Sequence, residues 1–207
     1  MVFSMNLGKH LNKLDRLKKQ RHDAKKMQEY YTRQKTAAKN VKAHKKAKDN
    51  EEFYLQRITT LDGEIKEAED QVLRLEEQLK AEAYHKDLTN FYNSIIEGFK
   101  DFEKAVKTIM DGGQADAVSA IEYIGLVYQK QYNQFKAEDL KMFQDYPILS
   151  LKGQIGRILE EQEAVFKITT TRGAPIAAQK RTNIETWGRN LLGQIESLIE
   201  AMKVRIK

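Results

Sequence analysis

Apolar residues recur at steps of three and four along almost the whole chain, and the places where that rhythm shifts or stops mark out helices. The first stripe is Phe3, Leu7, Leu11, Leu14 and Leu17, one side of an amphipathic helix over residues 1–17. From Lys18 onward it thins to Ala24, Met27, Tyr31, Ala38 and Val41. Neither Gly nor Pro stands between Gly8 and Gly63. The positions between them are filled with Lys, Gln, Ala, Arg, Leu and Glu, which lose little side-chain freedom in a helix. The pattern predicts a long helix that continues into the next element.

That element carries the most regular spacing of all. Tyr54, Ile58, Leu61, Ile65, Ala68, Val72, Leu75 and Leu79 alternate steps of four and three. A repeat of 3.5 residues keeps one stripe facing a partner over several turns, so a coiled coil is expected over 54–82. Glu64, Lys66, Glu67, Glu69, Arg74 and Glu76 surround this seam, which can close within the chain or between chains. Glu82 and Lys86 interrupt it, and a new register starts with Phe91, Ile95, Phe99, Phe102, Val106 and Ile109. Either a short turn or a stutter in the repeat is expected between them, near Tyr84–Asp87, and the turn is the favoured reading.

Asp111-Gly112-Gly113 is a stop, because consecutive glycines supply the positive φ that helix ends require, and a helix hairpin is predicted there. The helix that follows, from about Ala115 to Gln144, presents Val118, Ile121, Ile124, Tyr128, Tyr132 and Phe135 on one face. Leu126 and Val127 broaden that face and suggest a central, buried position. Tyr146-Pro147 ends it. Leu149, Leu151, Ile155, Ile158, Leu159, Val165 and Phe166 outline a shorter helix, and residues 168–175 read as a loop. A last helix carries Ile184, Trp187, Leu191, Ile195, Leu198 and Met202, with Lys203, Arg205 and Lys207 complementing its dipole. The expectation is an all-α protein: an elongated bundle of about five helices over residues 51–207, preceded by an N-terminal arm or long helix over 1–50.

Charge changes the picture of that arm. Its first 50 residues hold fifteen Lys and Arg against only Asp15, Asp23, Glu29 and Asp49, a net of +11. The other 157 residues hold 21 basic and 26 acidic side chains, a net of −5, so the overall +6 conceals a basic arm on a mildly acidic body. Such asymmetry points to a polyanionic partner. The residues expected to meet it are Lys18, Lys19, Arg21, Lys25, Lys26, Arg33, Lys35, Lys39, Lys42, Lys45, Lys46 and Lys48. Each cation seated on a phosphate releases condensed counterions, which gives affinity without sequence preference. Tyr30 and Tyr31 suit base stacking, a membrane interface or helix packing alike.

Sites for chemistry are scarce. Glu82-Ala83-Tyr84-His85 matches the Glu-x-x-His half of a di-iron bundle site, but such sites use the motif twice. His10, His22 and His44 stand among cations, which disfavour a metal ion. Gly153-Gln154-Ile155-Gly156, between Lys152 and Arg157, has the form of a nucleic-acid-gripping GxxG loop, yet it lacks the surrounding strands. Two small residues easing helix approach are the simpler reading. No phosphate-binding loop, dinucleotide fingerprint or hydrolase elbow occurs, and there is no cysteine for disulfide, thiolate or thiol chemistry. No catalytic residue, metal, cofactor or small-molecule substrate is therefore expected. With 32% charged residues and a mean hydropathy of −0.68, no segment reads as a membrane span or signal peptide, and an intracellular setting is expected.

The function these features predict is a non-enzymatic, self-associating helical protein whose basic arm binds nucleic acid, as a packaging or nucleoprotein component. The assembly seam would be Ile58, Leu61, Ile65, Ala68, Val72, Leu75 and Leu79. One alternative is a peripheral scaffold that inserts Phe3, Leu7, Leu11, Leu14 and Leu17 into an anionic membrane surface. Another is a coiled-coil adaptor within a larger complex.

Overall fold

A computed structural model describes residues 2–168 and 173–206, with side chains from Asn6 onward. Its elements are α1 (Val2–Ala37), α2 (Val41–Met110), α3 (Ala117–Gln131), α4 (Met142–Asp145), α5 (Ile148–Lys167) and α6 (Ala174–Arg205). One 3₁₀ turn (Tyr132–Gln134) follows α3, and no strand occurs among the described residues. The fold is an all-α helical bundle, as the hydrophobic rhythm predicts. It divides into two compact units, residues 1–83 and 84–207, whereas the charge changes sign near residue 50.

In the first unit the long basic helix does not run on into the seam. It stops at Ala37, and the chain reverses over 38–40 without a Gly or Pro. Asn40 makes the reversal workable, because its side-chain oxygen accepts the Ala43 N–H at 2.8 Å and caps the start of α2. Packing supplies the driving force. Leu14, Leu17 and Ala24 of α1 form one buried cluster with Leu61, Ile65, Ala68 and Val72 of α2, and Leu7, Tyr54 and Ile58 pack against it. The cross-contacts Lys18–Glu69, Arg21–Asp62, Tyr31–Tyr54 and Lys35–Glu51 fall along α2 as they rise along α1, so the two helices are antiparallel. Each fully buried Leu in such a cluster contributes about 1.5–3 kcal/mol, well above the few tenths that helical propensity adds per residue.

No turn breaks α2 near Tyr84–Asp87; the helix runs through. The register changes there because its buried face changes partners. Up to Val72 the seam packs against α1, and from Leu88 the face Phe91, Tyr92, Ile95, Phe99, Phe102, Val106 and Ile109 belongs to the core of the second unit. Glu82 and Lys86 between them are simply exposed.

At Gly112 the expected stop is built as expected. Gly112 has φ +83°, its N–H reaches Ile109 O at 3.0 Å, and the Gly113 N–H reaches Thr108 O at 2.8 Å, the paired bonds of a Schellman cap. Gln162 of α5 then donates to Gly113 O at 2.6 Å and ties this loop to the second unit's core. Asp116 caps α3 by accepting the Ser119 N–H at 2.9 Å.

The helix expected over 115–144 ends at Gln131 instead. Past the 3₁₀ turn, Phe135 becomes extended and its ring sits 4.9 Å from that of Phe91. Tyr92 donates its hydroxyl proton to Asp139 O, and Tyr84 donates to Asp139 Oδ2 at 2.6 Å while accepting the Lys136 N–H at 2.9 Å. These bonds to α2 hold residues 135–140 in a loop that the polar run Lys136–Asp139 left without an apolar face of its own. Nor is α3 centrally buried: Leu126 is 55% exposed, and Leu149 at the start of α5 is 82% exposed. Leu151, Ile155 and Ile158 of α5 and Leu191, Ile195, Leu198 and Met202 of α6 complete the core. Of the loop expected over 168–175, residues 169–172 lie outside the described residues, as does Lys207 of the final turn.

Candidate polyanion interface

The hairpin sorts the twelve predicted cations into two sets. Lys18 pairs with Glu69 at 2.9 Å, Arg21 with Asp62 and Lys35 with Glu51, so these three fasten α1 to α2. Lys48 has a loose partner in Glu52, one turn on at 3.8 Å. Lys19, Lys25, Lys26, Arg33, Lys39, Lys42, Lys45 and Lys46 are exposed and make no ion pair among the described residues.

The partners of the first set, Glu51, Asp62 and Glu69, were not legible as part of the arm, because they lie in the acidic sequence after residue 50. Only the reversal brings them across. Glu51 is nearly buried, and hydrogen bonds from Lys35 and Thr32 hold its carboxyl below the usual carboxylate range. Among the described residues, Lys35–Glu51 is the least exposed ion pair of the hairpin.

The second set is densest around the reversal. Residues 33–48 contain Arg33, Lys35, Lys39, Lys42, Lys45, Lys46 and Lys48 and no carboxylate. Helical spacing sets Lys42, Lys45 and Lys46 on the side of α2 away from Glu51 and Tyr54, which turn toward α1. No acidic residue stands in the first turn of α2 to complement its positive dipole end. Lys42 and Lys46, four apart, also repel each other by a few tenths of a kcal/mol. The tip thus carries uncompensated positive charge at a cost in local stability, and an anion docked there would relieve it. Along the hairpin, Lys18, Arg21, His22 and Lys25 line a groove of about 410 Å³ with Asp62 and Ile65.

The remaining predicted residues fall as follows. In the amphipathic stripe, Leu14 and Leu17 are buried against the seam, Leu7 is partly buried there, and Leu11 is exposed; the Phe3 side chain lies outside the described residues. Ile58, Leu61, Ile65, Ala68 and Val72 of the seam are engaged by α1, whereas Leu75 and Leu79 are half-buried outside that cluster. Stripe and seam are therefore each other's partners. Tyr31 stacks on Tyr54 at 5.8 Å within the hairpin, while Tyr30 remains 51% exposed.

Glu82 and His85 are exposed on α2, and no three His, Asp or Glu side chains converge among the described residues. Gly153 and Gly156 lie inside α5, not in a loop, and a Cβ at either would meet nothing within 4 Å, so they do not serve helix approach. That role falls to Gly98 and Gly188, where a Cβ would collide with Ile124 and Met110 respectively. No helix among the described residues is long and apolar enough to cross a membrane. Comparison with protein-family models, curated proteins and solved structures finds no match for this chain.

Proposed function

We propose that this is a non-enzymatic helical structural protein whose N-terminal hairpin binds nucleic acid without sequence specificity, as a packaging or nucleoprotein component. The observation that carries the reading is the set of eight exposed cations that make no ion pair among the described residues, five of which, Arg33, Lys39, Lys42, Lys45 and Lys46, crowd a hairpin tip without a carboxylate. Solubility asks for charges of both signs, interspersed; a one-sign tip that opposes its own helix dipole suits a polyphosphate. The membrane alternative needs the leading apolar stripe free, and Leu14 and Leu17 are instead buried against α2.

Self-association belongs to the same proposal. Since α1 occupies the seam from Ile58 to Val72, assembly would use apolar residues the fold leaves exposed, such as Leu73 or Leu149. Light scattering of the purified protein tests this part directly: a monomer mass at all concentrations removes it.

For binding, the full chain is titrated against a fluorescent oligonucleotide at about physiological salt. Changing Lys39, Lys42, Lys45 and Lys46 together to Gln is expected to weaken binding at least tenfold and to leave the helical signal in circular dichroism intact. Equal affinity of this variant and the parent would refute the proposed interface.

A further inference from the structure

Four aromatic rings connect across the hairpin. Tyr30 meets Tyr31 edge-on at 5.2 Å, Tyr31 stacks on Tyr54 at 5.8 Å and 16°, and Tyr54 meets Phe53 edge-on at 5.2 Å. The inner pair is half-buried and belongs to the α1–α2 contact, but the outer rings are open: Tyr30 is 51% and Phe53 60% exposed. Exposing two large rings at the ends of such a row forfeits burial worth having.

Both rings stand among cations. Lys19, Lys26 and Arg33 recur every seven residues, about 10 Å apart, on the side of α1 that carries Tyr30, with Asp23 among them. Lys26 and Arg33 lie one turn before and one turn after it, exposed and without an ion pair among the described residues. On α2, Phe53 shares its side with Lys42, Lys46 and Arg57, with Asp49 among them. A flat ring between two phosphate-binding cations is the arrangement that holds an unstacked base together with its flanking backbone. Bases inside a duplex are already stacked and paired, so these rings would have nothing to bind there.

We infer that the hairpin prefers single-stranded nucleic acid, with Tyr30 and Phe53 as base-stacking platforms and Lys26, Arg33 and Lys46 holding the adjacent phosphates. The inference rests on the nucleic-acid reading proposed above and names its ligand class.

The test uses the full-length protein and three fluorescent probes of equal length: an oligothymidylate single strand, a duplex, and an abasic strand that keeps the phosphates and lacks bases. The single strand is expected to bind about tenfold or more tighter than either of the others, in line with stacking energies per base. Tyr30→Ala and Phe53→Ala should each lose about tenfold on the single strand and little on the abasic strand. Tyr30→Phe, which keeps the ring, should retain affinity, and melting curves confirm that each variant is folded. If the single strand, duplex and abasic strand bind alike, or if both alanine variants bind as the parent does, the stacking assignment is wrong while counterion-driven binding survives. If none of the three probes binds at physiological salt, the nucleic-acid reading itself falls, and the inference with it.

Discussion

Individual side chains in the second unit act at close quarters. Gly98 faces Ile124, and a Cβ there would come within 2.7 Å of Ile124 Cγ1, on a short, branched and fully buried side chain that has little room to yield. Gly98→Ala gains helical propensity of about 1 kcal/mol but overpacks a filled core, which costs about 1–3 kcal/mol. The expected result in thermal melting is a net loss of about 1 kcal/mol, with Gly188→Ala milder because the long Met110 side chain can move aside. Tyr92 supplies a pH signature. Burial pushes its phenol up to about 12, so the folded protein favours the neutral, donating form. That contribution is complete below the ordinary tyrosine value near pH 10 and is lost as pH rises toward 12. Melting temperatures from pH 9 to 12 should fall steeply for the parent protein and less steeply for Tyr92→Phe.

Between helices, the decisive object is the α1–α2 hairpin. Leu61 is fully buried at its centre, and Leu61→Ala should cost about 2–5 kcal/mol through lost burial and a residual cavity. Because α1 has no other described packing partner than α2, the variant should show early loss of helical signal at 222 nm on heating while the Trp187 fluorescence of the second unit changes later. Acid should act on the same element. Glu51 has a lowered pKa in the folded hairpin, so its contribution is present above the ordinary glutamate range and is lost as pH falls below about 4. Glu51→Gln should remove that acid-sensitive step from hydrogen-exchange protection in α1 without altering exchange in α5 and α6.

For the whole molecule, the separation of charge governs what salt does. If all eight unpaired cations seat on phosphates, the logarithm of affinity should fall against the logarithm of salt with a slope no steeper than about −6 on a single strand. Each of Lys39, Lys42, Lys45 or Lys46 changed to Gln should make that slope shallower by about 0.7, whereas Lys18→Gln, which breaks the pair with Glu69, should change stability more than slope. Salt titrations of the single variants check this directly.

The helical character of the chain, the Gly112 stop and the Pro147 break were readable from the sequence because each depends on neighbours within a few residues: a hydrophobic period, a positive φ, a missing N–H. So was the density of cations in the arm, since charge is counted and not folded. Which of those cations stay free could not be read, because Glu51, Asp62 and Glu69 reach them only after the chain reverses at Asn40. The continuity of α2 through Tyr84–Asp87 and the early end of α3 were hidden for a related reason. A change of packing partner looks like a turn along the sequence, and a loop pinned by Tyr84 and Tyr92 looks like a helix until the residues that bind it are placed beside it. Local chemistry settled the elements; long-range burial, worth more per residue than any local propensity, settled what each face meets.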